Sequence, residues 1–344
     1  MKDANGPLVT VIVPAKDDAQ YLRPCLRSIR EQGFKRLECV VVDDGSADDT
    51  LAIAEEFSAK DDRFSVTSHA TSRGPSAARN TGLASSTAPF VTFLDADDFL
   101  YKGSIRRRLK PLLDSSDRTV AGTFCDWQST PQNKGPVPPE RAATSRAEVL
   151  GFIHGPECPF IITAPMVRRE VLEEIGGFDE DMHTAEDFEL WIRVLREGYT
   201  FRYIPIIGVA YRQNASGLVF SKSAEHAEES MAVIDRQYED VSNEQASPFL
   251  SLPLPHYQRQ CARVRRLLRT YALAAATGEA DGAERIEQLI SSDLDVLARA
   301  GLDVEAELRA GVWRASRALT ELKNKDARDK LIAELLSTLA ISPG

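Results

Sequence analysis

The first hundred residues alternate between short β-branched runs and amphipathic helical patterns, and this alternation is the strongest constraint on the fold. Strands that alternate with helices at short intervals build βαβ units, in which the strands run parallel and the crossovers are right-handed. We therefore predict an α/β fold with a mostly parallel central sheet. The predicted strands cover 8–13, 37–42, 64–67 and 90–94, and the predicted helices cover 21–32, 46–57 and 75–84.

Local signals refine these boundaries and extend the pattern along the chain. Ser46 with Asp49 three residues later is typical of a capping box, which would open the second helix. Further on, a helix is predicted over 184–196, and two short β-type runs at 201–204 and 207–211 follow it. These elements would complete the domain that begins with the alternating segment.

The fourth predicted strand ends in an acidic cluster. Its apolar run, residues 90–94, is followed directly by Asp95, Asp97 and Asp98. A strand buried on both faces of a parallel sheet opens at its carboxyl end, where ligands dock. Carboxylates crowded there repel one another, and a divalent cation that bridges to a diphosphate would compensate them. An Asp-rich turn that caps a helix near Ser104 is the alternative explanation.

Two further strand ends carry polar residues that belong with this cluster. Asp17 follows the first predicted strand, and Asp43 and Asp44 follow the second. If the first strand lies between the second and the fourth, the three ends form one rim, which would take a nucleotide with its base near Asp43 and Asp44 and its diphosphate near Asp97. The first βα turn lacks the glycine pattern of dinucleotide-binding folds, and the sequence contains no phosphate-binding P-loop motif.

Composition limits the classes of protein to which the chain can belong. The 344 residues carry a formal net charge of −10, which argues against general nucleic-acid binding because such binding needs a basic surface. The five cysteines are scattered without metal-ligand spacing, and we interpret them as reduced thiols, several of them in the core. No apolar run approaches the roughly 20 residues of a membrane span, and no signal peptide is recognised, so we expect a cytoplasmic protein.

The pattern changes along the chain in a way that predicts three parts. Residues 1–220 are expected to form the catalytic domain, with a nucleotide-binding half at 1–100 and an acceptor half at 101–220. Residues 221–255 are expected to form a linker and a helix. From residue 256 to residue 344 helix formers dominate, and we predict an all-α C-terminal bundle there.

Six short motifs follow one another along the predicted catalytic domain. They are Val11-Ile12-Val13-Pro14-Ala15, Val41-Val42-Asp43-Asp44-Gly45-Ser46, Gly74 to Gly82, Phe93 to Asp98, Gly176-Gly177-Phe178-Asp179-Glu180 and Ala185 to Trp191. In this order the motifs resemble those of the family 2 glycosyltransferases of GT-A fold, and the resemblance extends from Val9 to about Gly217. It implies a GT-A type nucleotide-binding fold and sugar transfer that depends on Mn²⁺ or Mg²⁺.

The resemblance also implies a role for each residue of the rim. The nucleotide-binding residues would be Pro14, Ala15, Asp17, Asp43, Asp44, Arg73, Arg79, Asp95 and Ala96. Among them Asp43 and Asp44 would meet the base, and Arg79 would lie near the phosphates. Asp97 would bind the metal, with Asp95 facing either the metal or the ribose, and oxygen ligands suit Mn²⁺ and Mg²⁺ alike. The bound cation and Arg79 would stabilise the negative charge that grows on the departing nucleoside diphosphate.

The acceptor hydroxyl must lose its proton, and a positioned carboxylate is required for that step. Glu186 and Asp187 are the two catalytic candidates. In a helix Glu186 shares a face with Glu189 and Arg193, which we expect to form an exposed pair, whereas Asp187 shares its face with apolar residues that point inward. We therefore predict that Asp187 is the base, because an inward carboxylate among apolar groups can hold a raised pKa. The alternative is that both acids only complement the helix N-terminus.

The sequence departs from the family pattern after the last predicted strand. Many relatives carry a histidine near the phosphates or the metal in this loop, whereas Asn214 occupies the position here, so no imidazole ligand is expected. The Q-x-x-R-W signature of processive enzymes is also missing after residue 187, which favours transfer of single sugars. The isolated histidines are interpreted as surface or core residues; they are His69, His154, His183 and His226.

A basic amphipathic pattern covers 258–271, with arginines on one side and apolar residues on the other. Its apolar stripe would pack into the C-terminal bundle or against a partner subunit in a homo-oligomer. Alternatively, its basic face would lie on anionic lipid in a peripheral membrane contact and bring the chain to a lipid-linked acceptor. The acidic remainder of the tail favours the first alternative.

The function predicted from these features is inverting, metal-dependent transfer of a single sugar from a nucleotide-diphosphate donor, with a UDP-sugar as the first expectation. Inversion is implied by the resemblance. The acceptor would be a hydroxyl group of a saccharide, polymer or lipid-linked molecule in the synthesis of cell-surface polysaccharide or glycoconjugate. One alternative is a sugar nucleotidyltransferase, which would need a Gly-rich basic loop after the first strand. Another is a non-catalytic module that binds a nucleotide or a sugar and serves assembly.

Overall fold

A computed structural model of the chain describes residues 8–130, 158, 160–212, 222–238, 254–277 and 280–299. The chain divides into two compact units. The first consists of residues 1–151 and 158–213, and the second of residues 152–157 and 214–344. The domain boundary predicted near residue 220 lies outside the described residues.

The described part of the first unit contains one eight-stranded sheet. Its strands are β1 (Val9–Ala15), β2 (Leu37–Asp43), β3 (Phe64–Ser68), β4 (Phe90–Phe93), β5 (Phe99–Leu100), β6 (Val120–Thr130), β7 (Pro165–Arg168) and β8 (Thr200–Arg212). They lie in the order β3-β2-β1-β4-β7-β6-β8-β5. β1 therefore lies between β2 and β4, which is the arrangement that a shared rim requires.

Helices connect these strands. They are α1 (Ala19–Arg30), α2 (Thr50–Ser58), α3 (Pro75–Ala84), α4 (Ser104–Asp114), α5 (Arg169–Glu174) and α6 (Glu186–Arg196). The alternation predicted for the first hundred residues is confirmed, and α3 begins and ends where the sequence predicts. Pro75 accounts for the sharp start of α3, because a proline at the first helical position has a suitable φ and no N–H that would be left unpaired.

The sheet is parallel in its first four strands and mixed beyond them. β1 pairs in parallel with β2 and β4, and β2 pairs in parallel with β3. β7 runs antiparallel to both β4 and β6, and β5 runs antiparallel to β8, whereas β6 and β8 are parallel. The parallel sheet predicted for the first hundred residues is confirmed. The antiparallel pairs come from the short strands β5 and β7, which the sequence pattern did not predict.

β1 is buried on both faces, as expected for a central parallel strand. Val11 and Val13 are fully buried and belong to the core that also contains Leu26 of α1. α3 approaches β1 so closely that a β-carbon on Gly82 would lie 2.4 Å from Cγ2 of Ile12. Packing on both faces therefore fixes the position of β1, and the carboxyl end of β1 forms part of the rim.

Two local predictions are wrong for identifiable reasons. The capping box does not form, because α2 begins at Thr50 and the Ser46 hydroxyl instead accepts a hydrogen bond from the N–H of Asp17 (3.0 Å). The two β-type runs at 201–204 and 207–211 form the single strand β8, whose register shifts against β6. A bulge of this kind interrupts the side-chain alternation without ending the strand.

The cysteines are free thiols, as predicted, and four of the five are buried. Burial raises the pKa of the Cys25 and Cys39 thiols. These groups therefore stay protonated and act as small core residues rather than as nucleophiles.

The described part of the second unit contains three helices, α7 (Ser223–Tyr238), α8 (Leu254–Thr277) and α9 (Ala280–Arg299). α8 packs against both α7 and α9, and Val264, Leu267 and Leu268 of its apolar stripe are fully buried. The basic amphipathic segment thus packs within the helical bundle, the first of its two predicted placements. Residues 300–344, for which further helices are predicted, lie outside the described residues. Within the described ranges, none of the helices is both long enough and apolar enough to cross a membrane.

Candidate active site at the carboxyl edge of the sheet

The loops that follow β1 and β2 are bound to each other at the carboxyl edge of the sheet. Ala15 pairs with Asp43 in the parallel register, and the N–H of Asp44 donates to the carbonyl of Ala15 (2.8 Å). In the next turn, the N–H of Asp17 donates to Ser46 Oγ (3.0 Å). These contacts bring the first two acidic strand ends together, as the rim requires.

Asp17 shapes the turn after β1. Its φ of 54° lies in the left-handed region, which aspartate tolerates better than most residues. Its carboxylate accepts a hydrogen bond from the N–H of Ala47 (2.7 Å), which ties the turn to the loop before α2. Ala15 is 3% exposed, whereas Pro14 is half-buried and Lys16 and Asp17 are exposed.

The Asp44 carboxylate is held by four donors from the segment after β3. Oδ1 accepts hydrogen bonds from His69 Nδ1 (2.7 Å) and from the N–H of Arg73 (2.8 Å). Oδ2 accepts them from the Ser72 hydroxyl (2.6 Å) and the N–H of Gly74 (2.9 Å). Burial by itself would raise the pKa of Asp44, but these donors bring it below its ordinary value, so the group is ionised. Asp44 therefore organises this loop, and its contact with a nucleotide base stays a prediction.

Asp43 and the Arg73 side chain have different surroundings. Asp43 is 2% exposed; its Oδ2 accepts a hydrogen bond from the N–H of Ser46 (3.3 Å), and its Oδ1 has no hydrogen-bond partner in the described part of the chain. The Arg73 guanidinium is exposed and pairs with Glu180 (2.9 Å). The Arg73 side chain thus links the predicted nucleotide-binding half to the acceptor half, and its role toward phosphate stays a prediction.

Asp95, Asp97 and Asp98 form the predicted acidic cluster, and Asp18 joins it from the turn before α1. Burial, together with nearby Asp95 and Asp18, raises the pKa of Asp97 to about 7. Burial, together with Asp95, also raises the pKa of Asp18 to about 6. Asp98 is 1% exposed, and burial beside Asp95 and Asp97 raises its pKa well above the ordinary value. The cluster therefore has more negative charge than its surroundings compensate.

Arg79 of α3 joins this cluster to the acceptor half. It is 3% exposed, and it donates from Nη2 to Asp95 Oδ1 (2.9 Å) and from Nη1 to Glu186 Oε1 (2.7 Å). Burial by itself would lower the pKa of Arg79, but the two carboxylates raise it above its ordinary value, so the guanidinium stays charged. One buried cation therefore pairs with an acid from the nucleotide-binding half and with an acid from the acceptor half. The proximity of Arg79 to the phosphates of a nucleotide stays a prediction.

α3 also holds the segment that precedes α6. Asn80 Nδ2 donates to the carbonyl of Phe178 (3.0 Å), and the N–H of Phe178 donates back to Asn80 Oδ1 (2.9 Å). Ser76 Oγ donates to the carbonyl of Met182 (2.7 Å). The third and fifth sequence motifs are therefore in direct contact, which explains why α6 begins close to the acidic cluster.

One of the two faces predicted for α6 is wrong, whereas the apolar face that Asp187 shares is buried as predicted. Glu186 is 9% exposed and Glu189 is 8% exposed, which contradicts the exposed face assigned to them. Glu189 does pair with Arg193 (2.6 Å), as predicted. Arg193, however, also donates to the backbone carbonyls of Ile175 and Gly177. A second segment of the chain therefore covers the face that helical periodicity alone assigned to solvent.

The structure separates the two candidate acids by environment. Burial raises the pKa of Glu186, and its ion pair with Arg79 partly offsets that rise. Asp187 is partly exposed, and its Oδ1 accepts a hydrogen bond from the N–H of Phe188 (2.7 Å). Glu186 is thus fixed inside the protein while Asp187 lies closer to solvent, and the assignment of Asp187 as the base stays a prediction.

Arg212, at the end of β8, is a second cation beside the acidic cluster that the sequence analysis did not single out. Its N–H donates to Asp98 Oδ1 (2.7 Å), and its Nε donates to the carbonyl of Asp97 (2.9 Å). Its guanidinium carbon lies 4.6 Å from the centre of the Tyr21 ring, a cation–π distance. The available signal was a cation two positions before Asn214, in the segment where relatives carry a ligand to the phosphates or the metal.

The acidic cluster fits a divalent cation in part. Among the described residues, no group of three or more His, Cys, Asp or Glu side chains is placed to hold a metal ion. Asp95 already binds Arg79, whereas the raised pKa of Asp97 indicates negative charge without full compensation. Carboxylate oxygens are suitable ligands for Mn²⁺ and Mg²⁺. The chain can therefore offer Asp97, with Asp95 as a second ligand, and oxygens of a bound diphosphate would complete the coordination.

Ala96, which is among the predicted nucleotide-binding residues, is 2% exposed and packs in the hydrophobic core, and its contact with a nucleotide stays a prediction. A cavity of about 500 Å³ opens at the amino end of β4. Its lining residues are Ser86, Thr87, Pro89, Phe90, Arg118, Arg168, Arg169, Glu170 and Glu173. None of them is a predicted site residue, so this cavity is separate from the carboxyl-edge site.

Two family models match the chain. The model described as Glycosyl transferase family 2 matches residues 10–176, and the model described as Glycosyltransferase like family 2 matches residues 156–248. Taken together, the matched residues run from β1 through α7 and include the site residues described above.

Curated relatives share part of the chain. A pre-mycofactocin glycosyltransferase of Mycobacterium tuberculosis is 35% identical over 209 residues, which cover 59% of this chain and 42% of that protein. The succinoglycan biosynthesis protein ExoU of Rhizobium meliloti is 29% identical over 213 residues, which cover 59% of this chain and 61% of that protein. The match therefore spans less than half the length of the mycobacterial relative.

Solved structures show the same fold at low sequence identity. The mannosyltransferase PcManGT from Pyrobaculum calidifontis, in complex with GDP-Man and Mn²⁺, has a TM-score of 0.57 at 21% identity, covering 98% of this chain and 87% of that one. S. aureus TarS in complex with UDP has a TM-score of 0.54 at 19% identity, covering 96% of this chain and 88% of that one. These likenesses establish the fold class predicted from the sequence.

Proposed function

Because the chain belongs to the family 2 glycosyltransferases, whose two models match residues 10–176 and residues 156–248, we propose that it is an inverting, metal-assisted glycosyltransferase that moves a single sugar from a nucleoside diphosphate donor to a hydroxyl group. The observation that carries the proposal is the contact of Arg79 with both Asp95 and Glu186. This contact brings the acidic cluster and the first turn of α6 to one rim, so that donor and acceptor chemistry can meet there.

A UDP-sugar is the donor that we propose first. TarS has been solved with UDP and with UDP-GlcNAc, and PcManGT with GDP-Man, so neighbours of this fold bind nucleoside diphosphates and their sugars. In this chain the base would lie near Asp43 and Asp44, and the diphosphate would lie near Asp97. Arg212 would add positive charge at the diphosphate, because its guanidinium already lies against the acidic cluster.

The metal-binding residues of the proposal are Asp97 and Asp95. Mn²⁺ or Mg²⁺, when bound, would neutralise charge on the leaving diphosphate. The presence of Mn²⁺ in the PcManGT complex supports a divalent ion, and carboxylate oxygens accept either metal. Asp95 would also keep Arg79 in place, so that this arginine stays beside the growing negative charge.

Asp187 is the proposed general base. It would take the proton of the acceptor hydroxyl as the acceptor oxygen bonds to the anomeric carbon and the bond from that carbon to the diphosphate oxygen breaks. The nucleoside diphosphate leaves with the electron pair, and attack from the opposite side inverts the anomeric configuration. Glu186, held by Arg79, would fix the start of α6 and thereby orient Asp187.

The name of one relative supports the proposed acceptor class. ExoU is named for succinoglycan biosynthesis, which supports a saccharide, polymer or lipid-linked acceptor in the synthesis of a cell-surface polysaccharide or glycoconjugate. Transfer of one sugar per acceptor agrees with the missing processive signature after residue 187. A screen of UDP-sugars and GDP-sugars by release of the nucleoside diphosphate would identify the donor.

The Asp187→Asn variant tests the proposed reaction. We expect it to bind UDP with Mn²⁺ as tightly as the wild type in calorimetry, and to lose at least about a hundredfold in turnover because the acceptor proton has no carboxylate to receive it. Asp181→Asn makes the same chemical change at an exposed position and should keep full activity. Normal turnover by Asp187→Asn would refute its role as the base. UDP binding by the wild type without turnover on any donor would instead favour a non-catalytic module.

A further inference from the structure

His69 belongs to a buried chain of hydrogen bonds that the reaction above does not use. It follows β3 directly, and its side chain is 7% exposed. Nδ1 lies 2.7 Å from Asp44 Oδ1, and Nε2 lies 2.9 Å from Thr81 Oγ1 on α3. Both ring nitrogens therefore have polar partners, which a histidine that only fills space would not need.

The ionised state of Asp44 determines the direction of these hydrogen bonds. A carboxylate only accepts, so Nδ1 of His69 must carry the hydrogen that it shares with Asp44. In the neutral ring Nε2 is then an acceptor and receives the hydroxyl hydrogen of Thr81. With the ring in that form, donation runs from Thr81 through His69 to Asp44.

The same carboxylate holds the loop 71–74 against the β2–α2 turn. The approach is so close that a β-carbon on Gly45 would lie 2.9 Å from the backbone nitrogen of Ser72. Gly74, whose φ of 91° favours glycine, leads directly into α3. A rotation of the Asp44 carboxylate would therefore release the loop and loosen the start of α3 together.

We propose that His69 is a positioning residue for nucleotide binding, which holds the Asp44 carboxylate in the orientation that keeps the loop 71–74 on the rim. His69 itself would not touch the nucleotide. The inference rests on the proposed function, because it takes a nucleoside diphosphate as the molecule that binds at this rim. Without the His69 donor, only the three donors of the loop 71–74 itself would remain on Asp44, so the carboxylate would lose its link to the end of β3 and the loop would be held less firmly when a nucleotide binds.

Two substitutions test the roles of the two His69 ring nitrogens separately. His69→Asn keeps an N–H donor close to the position of Nδ1, so it can retain the hydrogen bond to Asp44 while it loses the one to Thr81. His69→Gln places its amide close to the position of Nε2 and loses the hydrogen bond to Asp44. We expect the affinity for UDP with Mn²⁺, measured by calorimetry on the full chain, to fall about threefold in His69→Asn, which loses only the hydrogen bond to Thr81, and at least about tenfold in His69→Gln.

Thermal unfolding of both variants distinguishes positioning from a purely structural role. Equal UDP affinities in the two variants, or affinities that simply follow their stabilities, would overturn the inference. If His69→Gln does not fold, Thr81→Val decides, because it removes one hydroxyl at nearly constant volume. We expect about threefold weaker UDP binding from Thr81→Val, and unchanged affinity would overturn the inference. Failure of the wild type to bind either UDP or GDP would overturn the proposed function and this inference with it.

Discussion

Removal of Arg79 should destabilise the protein strongly. A buried ion pair that loses one partner leaves an uncompensated charge, and here two carboxylates depend on one guanidinium. We expect Arg79→Met to lower the free energy of unfolding by about 3–5 kcal/mol, measured by urea denaturation. Arg107→Met makes the same change at an exposed position and should have little effect. Similar losses in both variants would show that the two contacts of Arg79 do not stabilise the fold.

The acidic cluster gives the ligand-free protein a distinctive pH dependence. Asp97 has a pKa of about 7 in the folded protein and an ordinary value of 3.8 in the unfolded chain. Between about pH 4 and about pH 7 the folded state therefore holds a proton that the unfolded state has released, so the free energy of unfolding falls as the pH rises through this window. We expect Asp97→Asn to reduce that slope in melting curves recorded with EDTA, whereas Asp181→Asn should keep it. An unchanged slope in Asp97→Asn would contradict the raised pKa.

The sequence predicted the positions of the acidic side chains better than their surroundings. The strand ends put Asp44 and Asp97 on one rim, because parallel strands end at one edge of the sheet. Tertiary contacts determine which of two adjacent acids is buried, and helical periodicity does not predict those contacts. Glu186 was assigned to an exposed face, but the segment at 175–177 covers that face and receives hydrogen bonds from Arg193. The sequence analysis named Asp17 and did not consider Asp18, whereas the turn exposes Asp17 and brings Asp18 close to Asp95, so that burial together with Asp95 raises the pKa of Asp18.

At the scale of single elements, regular patterns predicted the structure and irregular ones did not. α3 was predicted over its full length, because Pro75 marks its start and small residues continue the helix. β7 and α5 were missed, since four residues followed directly by a six-residue helix give neither alternation nor a helical period. The missed strand is nevertheless central in the sheet, where it connects β4 to β6.

Gly82 gives a test of how α3 packs on β1. Alanine normally favours a helix over glycine by about 1 kcal/mol, so helix propensity alone predicts that Gly82→Ala stabilises the protein. A β-carbon there would lie 2.4 Å from Cγ2 of Ile12, so we expect overpacking to prevail and the free energy of unfolding to fall by about 1–3 kcal/mol.

Chemical denaturation of Gly82→Ala beside Ala84→Gly checks this expectation. Ala84 is exposed in the same helix, and its replacement by glycine measures the propensity difference without a packing change. A gain in stability on Gly82→Ala would mean that α3 and β1 do not approach as closely as the structure shows.

At the scale of the whole molecule, the described residues include several arginines that are buried although the sequence pattern assigns them to the surface. The formal net charge is −10, and arginines in helical patterns look like surface residues when only the sequence is read. In the structure, Arg108 is fully buried, Arg168 and Arg169 are each 6% exposed, and Arg266 is 5% exposed. Their partners are largely backbone carbonyls far away along the chain; Arg168, for example, donates to the carbonyls of Leu112 and Val120. No short-range pattern predicts such partners. For this reason the sequence analysis retained a lipid-facing role for the basic segment 258–271 as an alternative.

An arginine of α8 allows a test of whether buried ion pairs stabilise the helical unit. Arg263 pairs with Asp235 of α7 (2.8 Å) and with Asp293 of α9 (2.9 Å), and the Asp293 side chain is 7% exposed. We expect Arg263→Met to lower the free energy of unfolding of the helical unit by about 2 kcal/mol, since it leaves Asp293 buried without its cation. Hydrogen exchange in peptides from 223–299 should become faster accordingly.

Arg285→Met is the matched control for this test, because Arg285 also pairs with an acid of α7, Glu228, but at 62% and 42% side-chain exposure. A solvent-exposed ion pair contributes less than about 1 kcal/mol, so hydrogen exchange in that variant should stay close to that of the wild type. Equal acceleration in both variants would indicate that total charge, rather than the buried pairs of Arg263, stabilises the three helices. Acceleration in neither would mean that the apolar stripe of α8 holds the bundle without them.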